Sequence, residues 1–324
     1  MKKIFLITVI IALITVSPGF SQTQVPDFDI TVLQSTMDDF SGNLARSLPF
    51  SSAIGLNWSD AYIGNFPHFG VGFSLGFTTM DGDSFEELIN MFHINMPEFV
   101  AGFGGFPIPG YTAEARLGGF VLPFDVGFKF GYLPLKPQDI RLDYFLVGGD
   151  VRYALVKETL ILPAISVGAG FNYMTGAFGR DVGQEIRYNY GDDGHYISVG
   201  APEISIDWST ASLDFKAQIS KSLVFFTPYL GFGASTGWSK TGYSVEAEIE
   251  DSNNNLEEAI AIFKALGIAD LSETGFSSEQ GIHGWGFRLF GGFSFNIALI
   301  KLDFTGFWNF NDKYGVSFGT RFQF

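Results

Sequence analysis

The chain has no cysteine. That excludes a disulfide framework, a thiolate metal site, a thiol nucleophile and a Cys-linked lipid anchor. Charge is scarce as well: 16% of the 324 residues are charged, with 19 Lys plus Arg against 34 Asp plus Glu, a net charge of −15. Nucleic-acid footprints are basic, so nucleic acid is excluded as a partner. Beyond the first residues, no apolar run approaches the about 18 needed for a spanning helix, which excludes a membrane helix bundle. The four histidines, His68, His93, His195 and His283, include no His-x-x-x-His pair, and no Walker-type loop is present. His195 follows Asp192 and Asp193 in a polar loop, where such residues are ordinarily solvated. Neither an enzyme nor a metal or other cofactor is expected.

What is abundant is Phe, 37 residues, and Gly, 40 residues. The first residues are set apart from this pattern. Lys2 and Lys3 precede an apolar run from Ile4 to Val16, and Pro18, Gly19 and Ser21 follow. This has the form of a secretory signal peptide, because the run is short against the roughly 20 residues of a spanning helix. Residues 1–21 are therefore expected to be removed. Residues 22–66 and 67–324 form two further units, separated where strict two-residue periodicity begins.

From Phe69 the odd positions read Phe69, Val71, Phe73, Leu75 and Phe77, and the even ones Gly70, Gly72, Ser74, Gly76 and Thr78. A period of two gives a β-strand one apolar and one small, polar face. Phe124 to Tyr132, Ile165 to Tyr173, Trp285 to Phe295 and Tyr314 to Phe324 repeat the pattern. In a soluble sandwich, the polar face is rich in Lys, Glu and Thr. Here it is Gly, Ser and Asn with scattered charges of both signs, while Phe dominates the other face. That is the inverted arrangement of a transmembrane barrel, lipid outside and polar lumen inside; only a closed barrel lets strands cross a bilayer with every backbone group paired.

Short connections near Leu122–Pro123, Lys157–Leu160, Ser220–Ser222 and Asn296–Leu299 alternate with long ones at 81–110, 180–203 and 245–281. This asymmetry is that of outer-membrane barrels. Strands are expected near 67–80, 111–121, 124–133, 142–156, 163–176, 203–219, 224–240, 282–297, 300–310 and 313–324. The best count is ten, with twelve to fourteen open. In 203–219 the apolar phase changes from Ile204, Ile206 and Trp208 to Leu213, Phe215, Ala217 and Ile219; a bulge near Ser209–Ala211 would shift it, and an unrecognised turn would add strands. Ile186–Tyr190 and Tyr196–Val199 could be an additional hairpin. The fold class is thus all-β, a transmembrane antiparallel outer-membrane β-barrel with an N-terminal helical hatch.

Three segments have helical spacing instead. The first begins at Asp29 and carries Leu33, Met37, Phe40, Leu44 and Leu48 on one side. The second is Phe85–Phe92, with Leu88, Ile89 and Phe92; the third is Leu256–Leu266, with Ile260 and Phe263. Apolar loop-helix faces need burial, either as caps on the barrel mouth or as a groove for hydrophobic ligands. On the inward phase of the strands lie Glu114, Arg116, Asp125, Lys129, Asp150, Arg152, Arg288, Asp303 and Arg321, together with the bulky Tyr144, Leu146, Tyr229, Phe290 and Phe307. The charged set suits cross-strand pairing or simple solvation. The bulky set suits a lipid path or contact with the N-terminal helix.

The chain ends Tyr314-Gly-Val-Ser-Phe-Gly-Thr-Arg-Phe322-Gln-Phe324. This resembles the C-terminal signature of bacterial outer-membrane proteins, which implies that Phe322 and Phe324 are read by the barrel-assembly machinery. A helical N-terminal segment, a small-residue stretch, an Asn-containing motif and then the first strand resemble the long-chain fatty acid transporter family of the outer membrane (FadL-like). In that family a hatch plugs the barrel and ends in Asn-Pro-Ala. Here the matching stretch contains Asn57, Trp58, Ser59, Asp60 and Ala61, with Trp-Ser-Asp in place of Pro. The resemblance implies diffusion of hydrophobic compounds, long-chain fatty acids above all, through a plugged barrel in the bacterial outer membrane, with membrane lipid as surroundings. Leu33, Met37, Phe40, Leu44, Tyr144, Leu146, Tyr229, Phe290, Phe307, Leu88, Phe92, Ile260 and Phe263 are the candidate ligand residues. The other readings are a surface barrel that binds host or partner molecules and a general porin.

Overall fold

The computed structural model describes residues 30–64, 66–80, 83, 86–87, 105–119, 122–135, 140–181, 186–190, 195–199, 203–246, 249–251, 276–311 and 313–324. Among the described elements one helix, α1 (Ile30–Ser51), precedes thirteen strands: β1 (His68–Met80), β2 (Phe106–Gly118), β3 (Phe124–Leu135), β4 (Ile140–Val156), β5 (Ala164–Asp181), β6 (Ile186–Tyr190), β7 (His195–Val199), β8 (Glu203–Ser220), β9 (Phe226–Glu246), β10 (Ile249–Asp251), β11 (Phe276–Ile297), β12 (Ile300–Asn309) and β13 (Lys313–Gln323).

Ten of these strands form a closed antiparallel barrel in the order β1-β2-β3-β4-β5-β8-β9-β11-β12-β13, and β13 pairs back onto β1 from Gly70↔Gln323 to Thr78↔Gly315. Closure removes the unpaired edges that an open sheet would present to hydrocarbon. The Ile186–Tyr190 hairpin exists, but it joins β10 in a separate three-stranded sheet. It adds no stave, so the wall keeps ten strands. No described helix is long and apolar enough to cross a membrane.

The alternation sorts side chains as the sequence pattern demands. Phe128, Phe130, Phe171, Phe215, Phe232, Phe287, Phe304, Phe318 and Phe322 project outward, while their strand neighbours Lys129, Asn172, Asp214, Arg288, Asp303 and Arg321 are buried inside. Outer Phe rings touch across strands, for example Phe293–Phe304 at 5.2 Å and Phe304–Phe318 at 5.0 Å between centroids.

The phase change in β8 is not a bulge. β8 pairs with β5 from Asp181↔Glu203 to Ala164↔Ser220 and with β9 from Glu203↔Glu246 to Ser220↔Tyr229 without a slip. Even-numbered residues face inward throughout. The apolar residues change face because the surroundings change. Ile204 and Ile206 pack inside the barrel in a cluster with α1 residues, whereas Leu213, Phe215 and Ile219 are on the exposed outer face.

A ten-stranded wall leaves room for one helix, given that roughly eight strands leave just enough space for side chains. α1 fills that room. Its 22 residues correspond to about 33 Å, and it packs along β9 and β11 and against β1 and β8. The chain then runs down the lumen to the end of the barrel that holds the short turns and Phe324. Leu88, Phe92, Ile260 and Phe263 lie outside the described residues, as does the side chain of Leu33.

Candidate functional site

Below α1 the chain leaves helical geometry. Gly55 and Leu56 adopt positive φ of 86° and 57°, and a side chain at Gly55 would stand 2.6 Å from Thr112 Oγ1. The left-handed turn and the close approach to the wall both call for glycine at this position. From Ser52 to Ala61 the backbone has no ladder of its own, so the wall satisfies its polar groups. Lys129 Nζ donates to the carbonyls of Ser52 and Ile54 at 2.7 and 2.6 Å. Lys216 Nζ reaches Leu56 O at 2.9 Å, Gln218 reaches Trp58 O at 2.8 Å, and Arg152 reaches Asp60 O at 2.8 Å. Ala61 N donates to Ser220 Oγ at 2.8 Å.

The wall cations are themselves paired. Arg116 bridges Asp125 at 2.5 Å and Asp150 at 2.8 Å; Arg152 holds the other Asp125 oxygen at 2.6 Å; Lys216 meets Asp150 at 2.7 Å; Arg288 meets Asp214 at 2.6 Å. Arg321 bridges Asp303 and hatch residue Asp60, and Lys301 stands 3.7 Å from Asp60. Seven cations (Arg116, Lys129, Arg152, Lys216, Arg288, Lys301, Arg321) thus face six carboxylates (Asp60, Glu114, Asp125, Asp150, Asp214, Asp303). The surplus positive charge meets the hatch carbonyls, which continue the negative end of α1. Buried charge is tolerated only when paired in this manner. Burial alone would raise the carboxyl of Asp60, which lies outside the strands. Arg321, then Lys301 and Arg152, with a hydrogen bond from Gln323, hold it well below the usual carboxylate range instead.

The predicted motif forms the centre of this plate. Trp58 has two guanidiniums over its ring, Arg321 at 4.7 Å and Arg116 at 5.4 Å, and donates to Glu114 Oε2 at 2.6 Å. Asn57 Nδ2 ties back to Ala53 O at 2.9 Å, and Ser59 Oγ donates to Ser294 Oγ at 2.9 Å. All five residues from Asn57 to Ala61 are buried.

Toward the long-loop end the lumen becomes apolar. Met37, Phe40, Leu44 and Leu48 of α1 form one cluster with Met80, Ile108, Tyr144, Leu146, Met174, Ile204, Ile206 and Tyr243, with Leu133 and Trp208 packed against it. Tyr229, Phe290 and Phe307 form a second cluster with Phe50. The candidate ligand residues with described side chains therefore fall into two groups, both in contact with the N-terminal segment. On the β11 side α1 leaves space: Gly284 and Gly286 are on the inward phase, and a side chain at Gly284 would meet nothing within 4 Å.

One seam of the wall differs from the others. Among the described residues β2 and β3 pair only over Ala113–Gly118 with Asp125–Phe130, although β2 stays paired to β1 up to Phe106 and β3 to β4 up to Leu135. The Tyr111 carbonyl lies over Gly131 of β3, where a side chain would collide with it, so Tyr111 points its backbone polar groups toward β3. Along a strand these groups alternate in direction; Pro109 and Pro107 therefore face the same way. Continuing the Ala113↔Phe130 register places Pro109 opposite Pro134. Neither has an N–H to donate, so beyond the unpaired Tyr111 and Tyr132 the ladder cannot resume at this level. On the inner side of this seam are Ile108 and Leu133 of the apolar cluster.

Of the plate's charges, sequence reasoning missed Asp214 and Lys216 of β8 and Lys301 of β12; all three alternate with outward apolar residues of their strands, and that parity was the available signal. Gly-x-Ser-x-Gly strings at Gly72–Gly76, Gly233–Gly237 and Gly315–Gly319 lie within β1, β9 and β13, each paired on both sides, and not at the strand-to-helix turn a nucleophile elbow requires.

No protein-family model and no curated protein matches the chain. Among solved structures it is similar to a Pseudomonas aeruginosa FadL homologue at 9% identity and TM-score 0.35, over 75% of this chain and 60% of that one. It is also similar to the translocator domain of the autotransporter NalP from Neisseria meningitidis at 6% identity and TM-score 0.32, over 90% and 98%. The CymD monoaromatic hydrocarbon channel follows at 9% identity and TM-score 0.25, over 79% and 87%. The chain spans about 60% of the length of the FadL homologue.

Proposed function

We propose that the protein carries hydrophobic molecules through the bacterial outer membrane, with long-chain fatty acids as the cargo that its sequence resemblance implies. Residues 1–21 act as the export signal, and Phe322 and Phe324 as the mark read by the assembly machinery. Residues 22–66 act as the hatch. The short turns face the periplasm and the long loops face outward.

The observation that carries the reading is the seam between β2 and β3 beside the apolar cluster. A hydrophobic molecule entering from the loop end meets Met37, Phe40, Leu44, Tyr144 and Leu146. Straight passage would next take it through the ionic plate, where every charge it displaced would lose its partner. The seam offers an exit that crosses no charge. It lies between Ile108 and Leu133 on the inside and Tyr111 and Tyr132 on the outside, and it leads into the hydrocarbon of the membrane. Prolines make such a seam tolerable, because an unpaired N–H in lipid costs several kcal/mol. The cargo moves down its own concentration gradient.

Expression in a host lacking fatty acid uptake should raise accumulation of radiolabelled oleate. No rise would count against the reading. A large steady conductance in planar bilayers would favour a general porin instead.

A further inference from the structure

We propose that Tyr144 and Ile54 are two leaves of a gate over the inner face of the β2–β3 seam, one fixed to the wall and one carried by the hatch. This rests on the side-exit reading above and names the side chains that regulate it.

The seam is flanked on its inner face by two glycines, and each is covered by one of these side chains. A side chain at Gly110 of β2 would stand 2.5 Å from Ile54 Cδ1, and one at Gly131 of β3 would stand 3.0 Å from Tyr144 Cε1. The two glycines are therefore the points where Ile54 and Tyr144 lie flat on the wall. Both covering side chains are deeply buried, Ile54 at 1% and Tyr144 at 6% exposure. Tyr144 sits on β4 opposite Leu133, and its ring leans across β3 toward the Tyr111 carbonyl, where the ladder stops.

The leaves differ in how they are held. Tyr144 is rooted in a strand paired on both sides, so it can clear the seam only by changing rotamer. Ile54 stands in the irregular segment just before Gly55, and its carbonyl is gripped by Lys129 of β3 at 2.6 Å. Lys129 lies two residues from Gly131 and is thus a positioning residue. It fixes the movable leaf to the strand that borders the seam, so a shift of the hatch withdraws Ile54 without unpairing any strand. A bulky cargo in the apolar cluster needs both leaves aside.

The test uses the full chain in proteoliposomes, with a single cysteine introduced at Leu133→Cys, since the natural chain has no other thiol. A maleimide confined to the lipid phase reports whether the seam admits a molecule from the membrane, and oleate uptake is measured in parallel. Tyr144→Ala and Ile54→Ala should each raise the labelling rate several-fold, with faster initial uptake. Tyr144→Phe keeps the ring and should match the parent in both. Folded barrel is scored for each variant by heat-modifiable gel mobility. Labelling unchanged in folded Tyr144→Ala and Ile54→Ala would overturn the gate, as would Tyr144→Phe behaving like Tyr144→Ala. Absence of uptake in the parent overturns the transport reading alone, because labelling still decides the gate.

Discussion

The guanidinium of Arg321 lies 4.7 Å above the ring of Trp58 while the same side chain bridges Asp60 and Asp303. One residue from the last strand thus grips two neighbouring hatch residues. This links the C-terminal stave to the plug and makes the turn end of the lumen a single ionic body. Cation–π contacts strengthen when desolvated, to about 2 kcal/mol or more, and Trp58 is deeply buried.

Removing that ring should loosen the plug. Trp58→Ala deletes a buried indole, a change that costs about 3–5 kcal/mol in typical cores, and leaves Glu114 without its indole donor. The expected outcome is a barrel that still assembles but unfolds at lower denaturant and shows frequent channel openings in planar bilayers. Conductance equal to the parent would show that the hatch is held elsewhere.

The grip on Asp60 should be insensitive to mild acid. A carboxyl whose folded pKa is depressed contributes stability above its unfolded value, about 3.9 for Asp, and loses it only as pH falls through the lower folded value. Asp60 is depressed well below the usual range. Conductance should therefore stay low from pH 7 to about 4. Asp60→Asn should raise conductance already at pH 7, because Arg321 and Lys301 lose their hatch partner.

The parity of β8 can be read chemically. Ile206→Cys should resist a lipid-phase maleimide and Phe215→Cys should react, because the strand runs unbroken with even residues inside. A bulge near Ser209–Ala211 would expose both to lipid.

That strand shows where sequence reasoning succeeds and where it stops. Two-residue periodicity reveals a barrel because lipid and lumen select opposite side chains at every step. It gave the ten staves and placed Arg116, Asp125, Lys129, Arg152 and Arg321 inside. It failed at Ile204 and Ile206, where α1 makes the lumen apolar, so hydrophobicity no longer signals outside. The Asn57–Ala61 stretch was legible as a unit, but not its role. The wall partners that grip its backbone come from strands distant in sequence, and backbone carbonyls leave no mark in composition. The seam was written as Pro107, Pro109 and Pro134, yet it can be read only once register sets Pro109 against Pro134.

Packing in the apolar half should matter for stability as well as for passage. Leu48 is fully buried between α1 and the wall. Leu48→Ala should lower the unfolding free energy by about 2–5 kcal/mol, measured as a shift in denaturant midpoint in detergent.

The side exit is tested most directly by stitching it shut. Pro109→Cys with Pro134→Cys places the chain's only two thiols on opposite borders of the seam, where a short, reducible bis-thiol crosslinker can join them. With crosslinking verified by mass, oleate uptake should fall to the level of cells without the protein and return on reduction, while conductance stays low throughout. Undiminished uptake through a fully crosslinked barrel would contradict the account.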